Sequence, residues 1–92
     1  MTLPSHDDLI DDEILTVFGV VSGQFIVCYD QRERYDDKRG ETYIMEVRGA
    51  EIVGFRLDGN VYLTRDQLVN MIGQHRIDYL EEVFAERQRE SM

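Results

Sequence analysis

Three sets of side chains in this sequence carry enough chemistry to suggest a site. The first is Cys28 with His6 and His75, the single thiol and the two imidazoles of the chain. A thiol nucleophile needs its imidazole base within hydrogen-bond reach of the sulfur. Cys28, however, sits in the run Phe25 to Tyr29, where a small, inert side chain is ordinary within a strand. The same three residues lack a fourth zinc ligand and any recognised ligand spacing. The expectation is therefore a chain with no catalytic pair, no metal and no cofactor, which is not an enzyme.

The second set is the acidic cluster Asp7, Asp8, Asp11, Asp12 and Glu13. It lacks the loop spacing and central glycine of a calcium hand. On a helix, Asp7 with Asp11 and Asp8 with Asp12 form two rows of carboxylates about 6 Å apart along the axis, comparable with phosphate spacing along a nucleic-acid strand. Such rows fit a surface built for phosphates. The third set is Arg32, Arg34, Tyr35, Lys38 and Arg39, within the stretch Asp30 to Glu41. Arginine offers bidentate contacts to carboxylate or phosphate, and Tyr35 offers a ring for stacking. The net charge of this stretch is slightly negative, so it is a mixed segment rather than a basic one.

The elements that must position these groups follow from pattern. Ser5 with Asp8 three residues on resembles a capping box, and Leu9, Ile10 and Ile14 share a helical face, so a short acidic helix is expected from Ser5 to Glu13 or Leu15. From Ile14 the chain turns to β-branched and aromatic residues broken by Ser22-Gly23, which predicts strands near 16–21 and 24–29 joined by a hairpin turn. Gly19 inside the first strand suggests a bulge or a close backbone approach. Asp30 to Glu41, poor in apolar residues, predicts a long solvated loop. Alternation predicts further strands over Thr42 to Arg48 and Ile52 to Leu57, separated at Gly49-Ala50. Asp58-Gly59-Asn60 then turns the chain into Val61 to Leu63. Thr64 with Gln67 is a capping box, Gly73 is a stop, and a second helix follows from His75 to Arg89.

The stretch Ile52 to Gly73 thus holds two strands, a turn and a capped helix whose local signals agree, and it is the expected folding scaffold. Phe55, Tyr62 and Phe84 are expected in the core, and Tyr79 on the flank of the last helix is a candidate for self-association. The predicted architecture is α+β: an antiparallel sheet of four or five strands with a short N-terminal helix and two C-terminal helices packed on one face. It forms one domain over residues 1–92, with loose ends at about 1–4 and 88–92.

Composition narrows the partners. The formal net charge of -9 excludes a general nucleic-acid or anionic-membrane binder, because both rely on a basic surface. No Lys or Arg occurs before Arg32. Acidity of this kind favours partners that are basic, many of which handle DNA or RNA. A lone cysteine and the absence of an apolar run or basic leader point to a reducing, cytoplasmic setting.

In size and charge over the whole chain, the sequence resembles the small acidic proteins that phages encode against host defence, the anti-CRISPR proteins and DNA mimics. That resemblance implies a non-enzymatic inhibitor acting in the host cytoplasm. It would bind a protein complex with a basic nucleic-acid-binding surface, with the Asp30 to Glu41 segment touching acidic patches or bound RNA. The alternative is a small bacterial regulatory or assembly adaptor that dimerises through its helices, its acidity incidental.

Overall fold

The computed structural model describes residues 8–58 and 61–91. Four strands follow one another as an antiparallel meander: β1 (Asp8–Thr16), β2 (Gly19–Asp36), β3 (Glu41–Asp58) and β4 (Val61–Thr64). Two helices close the chain, α1 (Arg65–Ile72) and α2 (Gln74–Glu90). The architecture is α+β, with both helices on one face of the sheet.

The opening acidic stretch is a strand where a helix was expected. Residues 8–16 pair with β2 from Asp8 opposite Val27 to Thr16 opposite Gly19. Ile10 and Ile14 lie four residues apart, a spacing that satisfies one face of a strand as well as a helical stripe. Pairing along the whole of β1 decides between them. Ser5, His6 and Asp7, where the expected cap lay, are outside the described residues. The sheet accordingly has four strands, without a fifth among the described residues.

The first turn lies at Val17-Phe18, and Ser22-Gly23 sits within β2. The reason is steric. A Cβ at Gly23 would stand 2.4 Å from the Arg56 carbonyl oxygen and 2.5 Å from the Phe55 ring, so this glycine seats an aromatic residue of the next strand. Gly49-Ala50 likewise does not interrupt β3, which absorbs the irregularity as register shifts near residues 26–27 and 30–33 of β2.

Asp30 to Glu41 is the second correction. β2 runs on to Asp36 and β3 starts at Glu41, so most of the expected loop is a two-stranded antiparallel arm with a turn at its end. The β2 side of the arm, residues 31–36, is wet on both faces and shows no alternation even though its backbone is paired, whereas Thr42 to Arg48 on the β3 side is the strand its alternation predicts. The arm lengthens the molecule to 53 × 26 × 21 Å. Its radius of gyration is 15.0 Å, against about 12 Å for a compact chain of this length.

The core lies between the sheet and the helices: Ile14, Phe25, Val27, Ile52, Phe55, Leu68, Ile77, Leu80 and Phe84. Phe25 meets Phe55 edge-on at 4.9 Å and Phe84 at 5.6 Å. Phe55 and Phe84 are core residues as expected, whereas Tyr62 is half exposed on short β4. The Thr64 capping box of α1 forms in both directions, with the Gln67 N–H donating to the Thr64 hydroxyl and the Thr64 N–H to the Gln67 side chain. Gly73, at φ +90°, ends α1 by donating its N–H to the Val69 carbonyl at 2.8 Å.

Glu81 of α2 locks the helices to β3. Its carboxylate accepts the buried Ile52 N–H at 2.8 Å and the Arg65 guanidinium at 2.8 and 3.3 Å, while Arg65 also donates to the Ile52 carbonyl at 2.8 Å. The hydrogen bond to Glu81 is the main cause of an Arg65 pKa above the ordinary value, so the charge at this junction is permanent. Farther along α2, Arg89 donates to the carbonyls of Val47 and Arg48, and Gln88 donates to Gln31. The last turn of α2 therefore holds the base of the arm.

Candidate functional site

β2 is the axis on which the candidate residues are arranged. The Val17-Phe18 turn stands at one end of it and the turn of residues 37–40 at the other. The acidic residues belong to the first end and the basic ones to the second, so the two sets are separated along the long axis rather than joined in one site.

β1 is an edge strand, paired on one side alone. Asp8, Asp11, Asp12 and Glu13 are all exposed on it. Successive side chains of a strand alternate between faces, so the i, i+4 carboxylate rows of a helix do not form. Asp11 and Glu13 instead share the face turned away from the helices, about 7 Å apart. Asp11 accepts a hydrogen bond from Gln24 at 2.9 Å, and Asp12 accepts the N–H of Glu13 at 2.8 Å. Asp8 lies beside Tyr29: burial first, and then the Asp8 charge and its hydrogen bond, hold that phenol above its ordinary pKa. Asp7 is outside the described residues.

Beside these carboxylates is an open basin of about 800 Å³, lined by Asp11, Asp12, Glu13, Gln24, Arg56 and Asp58 among others. A smaller apolar groove of about 340 Å³ runs between β1 and the helices past Leu15, Met71, Ile72 and Leu80, with Asp12 and Arg76 also on its walls. An acidic basin of this shape suits the ammonium or guanidinium head of a partner side chain.

The feature that sequence pattern did not expose is the hairpin end. Leu15, Val17, Phe18 and Val20 are 73%, 93%, 93% and 62% exposed. The pair Thr16 and Gly19 closes the turn: the Thr16 hydroxyl donates to the Gly19 carbonyl at 2.9 Å and accepts the Phe18 N–H at 3.1 Å. Gly19 takes φ +111° to complete the reversal. Gly19 was the available signal, since a positive-φ glycine after two residues marks a hairpin turn as readily as a bulge.

Arg32, Arg34 and Tyr35 project from the β2 side of the arm, opposite Glu46, Tyr43 and Thr42. Lys38 and Arg39 are in its end turn, which Asp36 organises by accepting the Lys38 N–H at 3.0 Å and standing 3.8 Å from Arg39. Tyr35, Tyr43 and Met45 are 58%, 45% and 40% exposed, so the arm carries an aromatic component among its mixed charges. All five sequence-predicted contact residues of this segment are thus on one projecting ribbon.

Cys28 is half-buried on the sheet face opposite the helices, across from Glu51, whereas His75 is exposed on α2. The sheet separates the two. His6 lies outside the described residues. Among the described residues no group of three or more His, Cys, Asp or Glu side chains is placed to hold a metal ion, and no helix is long and apolar enough to cross a membrane.

No family model, curated protein or solved structure matches the chain.

Proposed function

We propose that this chain is a non-enzymatic inhibitor or interaction protein that binds a basic, nucleic-acid-handling protein complex. It blocks access of the nucleic acid or a conformational step of the complex, in the manner of phage anti-CRISPR or anti-restriction proteins, within the host cytoplasm. The observation that carries this reading is the exposed acidic edge strand: Asp8, Asp11, Asp12 and Glu13 on β1, beside a basin lined by further carboxylate. An edge of this kind repels a second copy of itself and attracts cationic side chains. The arm adds a second contact, in which Arg32, Arg34, Lys38 and Arg39 engage acidic patches of the partner or its bound RNA and Tyr35 stacks.

The adaptor alternative draws less support. The apolar stripes of both helices face the sheet, which leaves Tyr79 and Met71 as the exposed apolar residues of α1 and α2.

The test is an affinity pull-down from host lysate with and without nuclease, at two salt concentrations, using the wild-type chain and a variant with Asp8→Lys, Asp11→Lys, Asp12→Lys and Glu13→Lys. The expected result is capture of a basic complex that resists nuclease, weakens with salt and is lost in the variant. Equal capture by the charge-reversed chain would sink the reading.

A further inference from the structure

The most exposed apolar side chains of the described structure are consecutive, and they occupy a turn. Val17 and Phe18 are each 93% exposed, flanked by Leu15 and Val20 at 73% and 62%. Turn positions ordinarily carry Gly, Asn, Asp or Ser, which suit the backbone and water together. Single exposed apolar residues need no explanation, but a contiguous group of four marks a surface that is covered in use. The violation is local: the turn itself is well made, with Thr16 bonded to both Phe18 and Gly19. A turn already closed by the Thr16 bonds that displays an aromatic ring loses less freedom on docking than an open one.

Three kinds of occupant are open to such a tip, and charge separates them. A second copy would bring two acidic β1 strands together, since Asp11, Asp12 and Glu13 lie only a few residues from the tip. A lipid surface is favoured by flanking Lys or Arg, and this hairpin has none from Asp8 to Gln31. A protein with an apolar pocket and a basic rim satisfies both features, because the pocket takes the ring while the rim meets the carboxylates and the basin behind them. We infer that Phe18, supported by Val17, anchors the β1–β2 hairpin in an apolar pocket rimmed by Lys and Arg on the partner protein. The inference rests on the reading of the chain as a ligand for a basic protein and adds to it where the contact is centred. Buried aromatic anchors of this kind dominate interfaces, and truncating one typically weakens binding about 30-fold or more.

Photo-crosslinking within the host cell tests it. Phe18 is replaced by p-benzoylphenylalanine in one full-length protein and Asp12 in another, and adducts are mapped to residues of the partner by mass spectrometry. Affinity for the protein so identified is then measured for the wild type and Phe18→Ser. The expected result is an adduct from position 18 on an apolar concavity with Lys or Arg at its rim, and a loss of about 30-fold for Phe18→Ser. The melting temperature should stay unchanged, because the ring is in water in the free protein. Adducts from position 18 with only a second copy of the chain, with lipid or with a polar surface would overturn the inference, as would no adduct or an unchanged affinity. If position 12 still marks a basic protein in those cases, the tip is not the anchor while the wider reading stands. Silence from both positions removes both.

Discussion

Removing Glu81 is the sharpest test of how the helices are held to the sheet. In Glu81→Ala the Ile52 N–H, on a residue with no exposed surface, loses its acceptor at 2.8 Å. A buried donor left unsatisfied costs about 1–3 kcal/mol. Arg65 loses both of its bonds to Glu81, but its side chain is 31% exposed and water replaces part of the interaction, so this loss is set at about 1 kcal/mol. The sum is about 2–4 kcal/mol, a large part of the roughly 5–14 kcal/mol expected for a domain of this size. In urea, with a slope of about 1 kcal/mol per molar, the midpoint should fall by about 2–4 M at unchanged slope.

Two companion variants separate the contributions. Glu81→Gln keeps an amide oxygen for Ile52 and should cost about 1 kcal/mol through loss of the charged contact alone. Arg65→Ala leaves Ile52 bonded to Glu81 and should fall between the other two. If Glu81→Ala unfolds at the same urea concentration as Glu81→Gln, the Ile52 bond carries no stability and the assignment fails.

Further expectations concern the strands and the arm. Gly23→Ala should destabilise by about 1–3 kcal/mol, since the added methyl meets the Arg56 carbonyl and the Phe55 ring; a thermal melt equal to the wild type would contradict the seating of Phe55. Tyr29 has a folded-state pKa raised by burial and by Asp8, so its contribution to stability is complete below pH about 10 and is lost as pH rises through the folded value. Ultraviolet titration should show this tyrosine ionising later than in Asp8→Asn, and identical curves would refute the contact. Replacing residues 34–43 with Asn-Gly, between the paired Glu33 and Ile44, should leave the melting temperature within about 4 °C of wild type, because core packing and inter-element hydrogen bonds reach the arm only at its base. The same variant should weaken the complex if Arg34, Tyr35, Lys38 and Arg39 touch the partner, and unchanged affinity would remove the arm from the interface.

The part of the fold that was legible in the sequence is the part where several local signals coincide. Thr64, Gln67 and Gly73 fix α1 at both ends through side-chain and backbone bonds within a few residues, and Leu68, Ile77, Leu80 and Phe84 recur at helical spacing. The N-terminal segment failed because Ile10 and Ile14 suit either periodicity, and the deciding term was pairing with residues 19–27, which no local pattern contains. Ser22-Gly23 failed because its glycine answers to Phe55, 32 residues later. For the candidate site, the identities of the charged residues were plain, but their arrangement was not. A wet strand such as residues 31–36 gives no burial signal, and the exposure of Phe18 depends on where the turn falls.

The bonds from Arg89 and Gln88 to the base of the arm give the end of α2 a mechanical role. From Gln31 to the end turn is about 20 Å of extended backbone, so a rotation of about 10° at the base displaces the far end by about 3–4 Å. The guanidinium of Arg89, bonded to the carbonyls of Val47 and Arg48, braces the base of that lever. Changing Gln88 and Arg89 would remove the side-chain bonds that tie the last turn of the last helix to the base of the arm, and the far end of the ribbon would be displaced most.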